Sequence, residues 1–246
     1  MKEINLLFTD LDSTILDENY SFKESAIETL QNAYSKNFVI IFTSSKTFKE
    51  EQHFAIKLGI PIIYTVENGS AIYIPENVFE KKSSKMGCRK IVLSSLSITY
   101  IRKILFRLQD IYSDLKFYEN SSLDEIEKFT GLSPHLAKLA KMREYTETIF
   151  KGYSNRVEED LISNGIFPQK GSRFVSIGDR TDKGKAAKKL MSFFKNNGYI
   201  IKRTIGIGDG PNDISLLKAM NEPYIIGDKI TLESARVIEH FSEIHI

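Results

Sequence analysis

The chain has 246 residues, 41% of them hydrophobic and 27% charged, and Lys plus Arg (34) nearly balance Asp plus Glu (32) for a net charge of +2. With a single cysteine, 14 Gly and 6 Pro, this composition excludes a disordered chain, a disulfide scaffold and a collagen-like repeat. The length fits one large domain or a core with an insert, and such a core folds without a metal or disulfide staple.

Acids and bases are interspersed, so no basic face for a nucleic acid is expected. No apolar run is long enough to span a bilayer, so no membrane partner is expected either. Met1 to Leu7 enters a strand pattern directly, with no signal-peptide pattern, and the expected compartment is the cytoplasm.

In chain order, Ile4 to Thr9 reads as a buried strand, Lys23 to Lys36 as an amphipathic helix and Phe38 to Thr43 as a second strand. Lys46 to Leu58 reads as a helix closed by Gly59 and stopped by Pro61, and Pro61 to Val66 as a third strand. This alternation implies a parallel sheet with helices on both faces. The basic run from Glu80 to Lys85 reads as a solvated linker. Lys90 to Leu93 is a strand, and a long helix follows from Ser97. Helices at Leu123 to Phe129 and Pro134 to Met142 and strands at Glu144 to Phe150 and Arg173 to Ile177 complete an irregular middle. The first rhythm then returns: helix Asp182 to Phe194, strand Thr204 to Ile207, helix Pro211 to Met220 and strand Tyr224 to Ile226. The fold class expected is α/β, a doubly wound, mostly parallel core of residues 1–80 and 183–246 with an inserted α+β unit of residues 81–182.

Four segments carry chemistry. Asp10 and Asp12, in Phe8-Thr9-Asp10-Leu11-Asp12, follow a buried strand, where reactive groups of such sheets lie. One could act as nucleophile and the other as acid/base, with a divalent cation to let both ionise. A helix cap paired with a turn aspartate is the bland alternative. Asp209 and Asp213, in Gly208-Asp209-Gly210-Pro211-Asn212-Asp213, offer hard oxygen ligands suited to Mg2+, beside glycines that admit a ligand close to the backbone. An Asx turn with a helix cap competes with that reading. Ser44, Ser45 and Lys46 sit between a strand end and a helix start, where phosphate oxygens bind, although helix capping needs the same residue types. Lys183 opens a helix, where its charge is poorly placed for the dipole. That points to pairing with a phosphate or with Asp10, or to an ordinary surface lysine. The four histidines and Cys88 show no ligand or catalytic spacing.

The order of these four motifs resembles the haloacid dehalogenase superfamily, and the insert resembles its type-two cap, as in Cof-like sugar phosphatases. Phe42 to Thr47 (FTSSKT), Val66 to Ile72 (VENGSAI), Gly131 to Thr146 and Gly171 to Phe174 with Asp182-Lys183-Gly184 further resemble the mannosyl-3-phosphoglycerate phosphatases within it. The resemblance spans nearly the whole chain. It implies that Asp10 attacks phosphorus to form an aspartyl-phosphate and that Asp12 is the acid/base. It further implies that Ser44 bonds the phosphoryl group and that Lys183 neutralises charge. Asp10, the Asp12 carbonyl and Asp209 would hold Mg2+, with Asp213 as support or ligand and Asn212 ordering the loop. Ser13 departs from the Gly found there in many members.

The implied partner is a small sugar phosphate ester, the mannosyl ester of 3-phosphoglycerate in the synthesis of a compatible solute, with the glucosyl ester or a broader set of sugar phosphates as alternatives. Its carboxylate would suit Arg143 or Arg173, its sugar would suit Glu67, Asn68 and Gly69 at a strand end, and Ser45, Lys46 and Asn212 are further expected substrate-binding residues. A structural ion pair is the alternative for Arg143. A non-catalytic, metal-dependent binding protein is the reading from a different class. The sequence fixes no oligomeric state.

Overall fold

The computed structural model describes residues 2–78, 87–171 and 173–246. The basic run at 80–85 lies outside them. Strand β1 (Lys2–Thr9) is followed by α1 (Ala26–Ser35), β2 (Phe38–Thr43), α2 (Phe48–Ala55), β3 (Ile62–Val66), β4 (Ala71–Pro75) and β5 (Cys88–Val92). The middle holds α3 (Ile98–Ile111), β6 (Lys116–Phe117), α4 (Leu123–Thr130), α5 (Pro134–Ala140), β7 (Glu147–Lys151), α6 (Asn155–Ser163), β8 (Phe167–Lys170) and β9 (Val175–Gly178). The chain ends with α7 (Lys183–Asn196), β10 (Tyr199–Gly208), α8 (Ile214–Leu217), β11 (Glu222–Ile226) and β12 (Arg236–Ile238).

Eight strands form one sheet in the order β12-β11-β10-β1-β2-β3-β4-β5. Pairing is parallel from β12 to β3 and antiparallel for β4 and β5. β1 is central, with Leu6, Leu7 and Phe8 fully buried, as a strand covered on both faces requires. On one face α1, α2 and the turn that follows α2 pack Ala26, Leu30, Phe54 and Leu58 against Leu7, Ile40 and Phe42. On the other, α7 and α8 pack Ala186, Leu190, Phe194 and Leu216 against Leu6, Phe8 and Ile41. This is the doubly wound core that the sequence predicts.

The inserted strands form their own antiparallel sheet, β6-β7-β9-β8, covered by α3 and α6 through Ile101, Leu105, Val157 and Leu161. Helices α4 and α5 instead join the first core cluster through Ile126, Leu136, Ala137 and Ala140, so the insert lies on the core across an apolar contact. One expected boundary moves. The strand placed in the insert at Lys90 to Leu93 pairs with β4 along Pro75↔Cys88 to Ala71↔Val92 and completes the large sheet.

Other differences are local. Strand β4 follows the turn after Val66 directly, and β10 is longer than Thr204 to Ile207 because Arg203, polar in the pattern, is satisfied by both Glu222 oxygens at 2.8 Å. The helix expected over Pro211 to Met220 breaks into a tight turn at Pro211–Asp213 and the short α8. The Asp213 carboxylate accepts the Asp209 and Gly210 N–H groups there and holds that turn.

Candidate active site

The carboxyl ends of β1, β2, β3 and β10 converge on one crevice. Asp10 follows β1, and its N–H donates to Ile207 O on β10 at 3.0 Å. Lys183 is fully buried at the start of α7, with Nζ 2.6 Å from Asp10 Oδ1 and 2.5 Å from Asp213 Oδ1. Burial works against the Lys183 charge, but the two carboxylates hold its ammonium above the usual lysine value. Burial pushes the Asp10 carboxyl up, with Lys183 pulling against it and Asp213 and Asp209 adding to the rise.

Asp10, Asp209 and Asp213 each present an oxygen within 4.8 Å of the others. Three hard oxygen donors so close fit a Mg2+ ion, whose bonds to oxygen are ~2.0–2.1 Å long. Asp213 has both oxygens engaged, Oδ1 on Lys183 and Oδ2 on the Asp209 and Gly210 N–H groups. It therefore fits as the support of the loop, leaving Asp10 and Asp209 as the side-chain donors. The Asp213 carboxylate also explains Gly208, where a Cβ would stand 2.5 Å from it.

Asp12 lies two residues beyond Asp10, partly exposed, with Oδ1 2.8 Å from Lys46 Nζ. Lys46 is 5% exposed, its ammonium 4.8 Å over the Tyr20 ring. Burial disfavours its charge, but Asp12 and Glu50 hold it above the usual value. Between Asp12 and α1 the chain forms a short flap. Ser13 lies there at φ 59°, in the left-handed region that favours glycine.

The crevice opens into a cavity of about 170 Å³ lined by Asp10, Asp12, Ser45, Lys46, Asn68, Arg143, Arg173, Asp209 and Asn212 among the expected residues. Asn212 Nδ2 donates to Asn68 Oδ1 at 3.1 Å and ties two of the loops together. Lys183 and Asp213 stand behind Asp10.

Three expected contacts lie elsewhere. Ser44 is 1% exposed; its hydroxyl donates to Glu51 Oε1 at 2.7 Å and accepts the Lys46 N–H at 3.0 Å, so its hydroxyl is committed to the helix behind the cavity and Ser45 lines the wall instead. Glu67 is 1% exposed and accepts the N–H groups of Glu144, Tyr145 and Thr146; it joins the insert to the core and does not line the cavity. Gly69 packs against α7. Its φ is +85°, and a Cβ would stand 2.3 Å from Asp182 O.

Other residues at the crevice carry no sequence signal. Tyr20 donates to Thr130 O at 3.0 Å and accepts from Arg173 Nη1 at 3.4 Å, linking flap to insert. Tyr118 and Gln169 come from the insert. Lys229 Nζ lies 2.6 Å from Asp209 Oδ2; its place just past β11, the neighbour of β10, is the one hint available from strand order.

The sequence pattern of the haloacid dehalogenase-like hydrolases matches residues 7–231. The mannosyl-3-phosphoglycerate phosphatase of Pyrococcus furiosus is 41% identical over 227 residues, 92% of each chain. A glucosyl-3-phosphoglycerate/mannosyl-3-phosphoglycerate phosphatase of Persephonella marina is 32% identical over 90% of this chain and 84% of its own. Among solved structures, a sugar phosphatase of haloacid dehalogenase subclass IIB superimposes with a TM-score of 0.65 at 18% identity, covering 92% of this chain and 88% of its own, which is a likeness of fold.

Proposed function

The chain belongs to the haloacid dehalogenase-like hydrolases, and on that premise we propose that this phosphatase is Mg2+-dependent and removes the phosphate from mannosyl-3-phosphoglycerate. The observation that carries the reading is the Asp10 carboxylate, set at the end of the central strand against the buried Lys183 and facing a cavity walled by Lys46, Arg143 and Arg173. Similarity to phosphatases of that substrate over nine-tenths of the chain supports the choice of ester.

In this reading Asp10 attacks phosphorus and forms an aspartyl-phosphate, with expulsion of the alkoxide. Asp12 gives the alkoxide its proton and later takes one from the hydrolytic water. Lys183 holds Asp10 in place and offsets charge on the phosphoryl oxygens. The Ser45 segment lines the phosphoryl site in place of the Ser44 hydroxyl. Asp10, Asp209 and the Asp12 carbonyl would hold Mg2+, which supplies the positive charge that lets a phosphate dianion approach a carboxylate. Arg173 and the free Nη1 end of Arg143 suit the glycerate carboxylate, to which a guanidinium N–H donates a charge-assisted hydrogen bond.

The inserted unit, from 93 to about 182, acts as the cap, with water excluded while it is closed. No described helix is long and apolar enough to cross a membrane. A second reading, the glucosyl ester, is favoured by the relative named for both sugars.

Phosphate release with Mg2+ tests the proposal. Mannosyl- and glucosyl-3-phosphoglycerate, mannose 6-phosphate and an aryl phosphate are compared, with Asp10→Asn alongside. A preference of roughly a hundredfold for the mannosyl ester, about 2.7 kcal/mol, is expected. Equal rates on all esters refute the substrate, and an Asp10→Asn variant as active as the wild type refutes the nucleophile.

A further inference from the structure

Glu67 occupies the turn after β3 at φ 49° and is 1% exposed. Its Oε1 accepts the Glu144 N–H at 2.8 Å. Its Oε2 accepts the Tyr145 N–H at 3.1 Å and the Thr146 N–H and Oγ1–H at 2.8 Å each. Three successive backbone N–H groups aimed at one carboxylate form an anion nest, so a core acid is seated in a short segment of the insert.

That segment also carries Arg143. The Thr146 hydroxyl that donates to Glu67 accepts from Arg143 Nη2 at 2.7 Å. Nη2 also donates to Ser45 O at 2.9 Å, and Nε donates to Thr146 O at 3.1 Å and lies 3.7 Å from Glu67 Oε2. These bonds fix the plane of the guanidinium. Its Nη1 makes no hydrogen bond to the described residues, and Arg143 lines the cavity. The N–H groups of a guanidinium point in fixed directions within its plane, so whatever fixes that plane sets where the free Nη1 donates and thereby sets selectivity at a distance.

We propose that Glu67 is a positioning residue: through Thr146 it holds the free Nη1 end of Arg143 toward the cavity, and this relay makes the site prefer phosphate esters that carry a carboxylate over those that carry none. The proposal rests on the phosphatase reading above but not on which sugar the substrate carries. A latch that merely docks the insert would affect all phosphate esters alike.

The test uses two ligands that differ only at the carboxylate, 3-phosphoglycerate and glycerol 3-phosphate, as competitive inhibitors of aryl phosphate hydrolysis. The ratio of their inhibition constants is measured for the wild type, Glu67→Gln, Arg143→Gln and the double variant. Gln keeps the shape of Glu67 and removes the charge beside Arg143. The wild type is expected to prefer 3-phosphoglycerate, and Glu67→Gln is expected to reduce that preference about tenfold. In the Arg143→Gln background Glu67→Gln should reduce it no further, because a relay acts through its last member. A wild type without preference, a Glu67→Gln ratio equal to the wild type, or two losses that multiply would each overturn the proposal. If Glu67→Gln does not fold, Thr146→Val breaks the relay at its hydroxyl while keeping the N–H nest, and is expected to reduce the preference about threefold; an unchanged ratio overturns it. A wild type that hydrolyses the aryl phosphate but not the mannosyl ester refutes the substrate reading and leaves this test standing. A wild type inert on every ester refutes the phosphatase reading and this proposal with it.

Discussion

Glu51 lies on the buried face of α2, fully out of solvent, with Oε1 accepting the Ser44 hydroxyl and Oε2 without a hydrogen-bond partner among the described residues. Burial pushes its carboxyl well above the usual 4.5, with Ser44 and Lys183 opposing. A carboxyl whose value is higher in the folded chain binds more protons there than in the unfolded chain. Its contribution to stability is therefore complete below about pH 4.5 and is lost as pH rises through the folded value. The slope is at most about 1.4 kcal/mol per pH unit between the unfolded and the folded value. Glu51→Gln keeps the shape and the acceptor for Ser44 but cannot ionise. It should match the wild type below about pH 4.5 and gain on it as pH rises above that. Urea unfolding of both proteins at several pH values, at one metal concentration, gives the two curves. Curves that run parallel across this range would refute the reasoning, since all other titrating groups are shared.

Gly69→Ala should destabilise the fold by about 3 kcal/mol, from strain at positive φ and from overpacking against the Asp182 carbonyl; a denaturant midpoint close to the wild type would contradict this. Ser13→Gly should stabilise by about 1 kcal/mol, because a left-handed residue without a Cβ avoids the steric cost, and the same assay reads it. Thr47→Ala removes the cap of α2 and the bond from Thr47 Oγ1 to Leu139 O at 2.9 Å. It should cost about 1–2 kcal/mol in thermal or urea unfolding, and an unchanged midpoint counts against it. Removal of Mg2+ with a chelator should weaken binding of inorganic phosphate at least about tenfold in calorimetry, and equal affinity with and without the ion would refute the charge argument below.

The core was legible because its strands are short apolar runs and its helices carry capping signals, as at Thr47 and Asp182. Asp10, Asp209 and Lys183 were legible for a related reason. Each follows a strand or opens a helix, so the backbone alone carries its side chain to the crevice. The cavity wall was not. Ser44 and Glu67 sit at strand ends as the crevice residues do, but the side chain of Ser44 turns to Glu51 and that of Glu67 to the 144–146 backbone. Pairing decides such choices, and pairing is long-range: Glu67 and Thr146 stand 79 residues apart. Strand β5 was misassigned to the insert for the same reason. Nothing local in Cys88–Val92 says that its partner is β4.

Charge explains why the crevice has this composition. Asp10, Asp209 and Asp213 bring three carboxylates to one strand-end cluster, against the two ammonium groups of Lys183 and Lys229. A phosphate dianion added to that cluster would meet net negative charge in a site largely removed from water, where opposed charges cost several kcal/mol. The fold cannot remove the carboxylates, because one is the proposed nucleophile and another orders the loop at Gly208. It can supply positive charge only from side chains long enough to reach, and Lys183 already serves both Asp10 and Asp213. The cations of the wall, Lys46, Arg143 and Arg173, are committed to Asp12, to Ser45 and Thr146, and to Tyr20, on the side where the rest of an ester would lie. A small divalent ion held by Asp10 and Asp209 would neutralise the floor without displacing any of these pairs, and that is the physical case for the proposed metal.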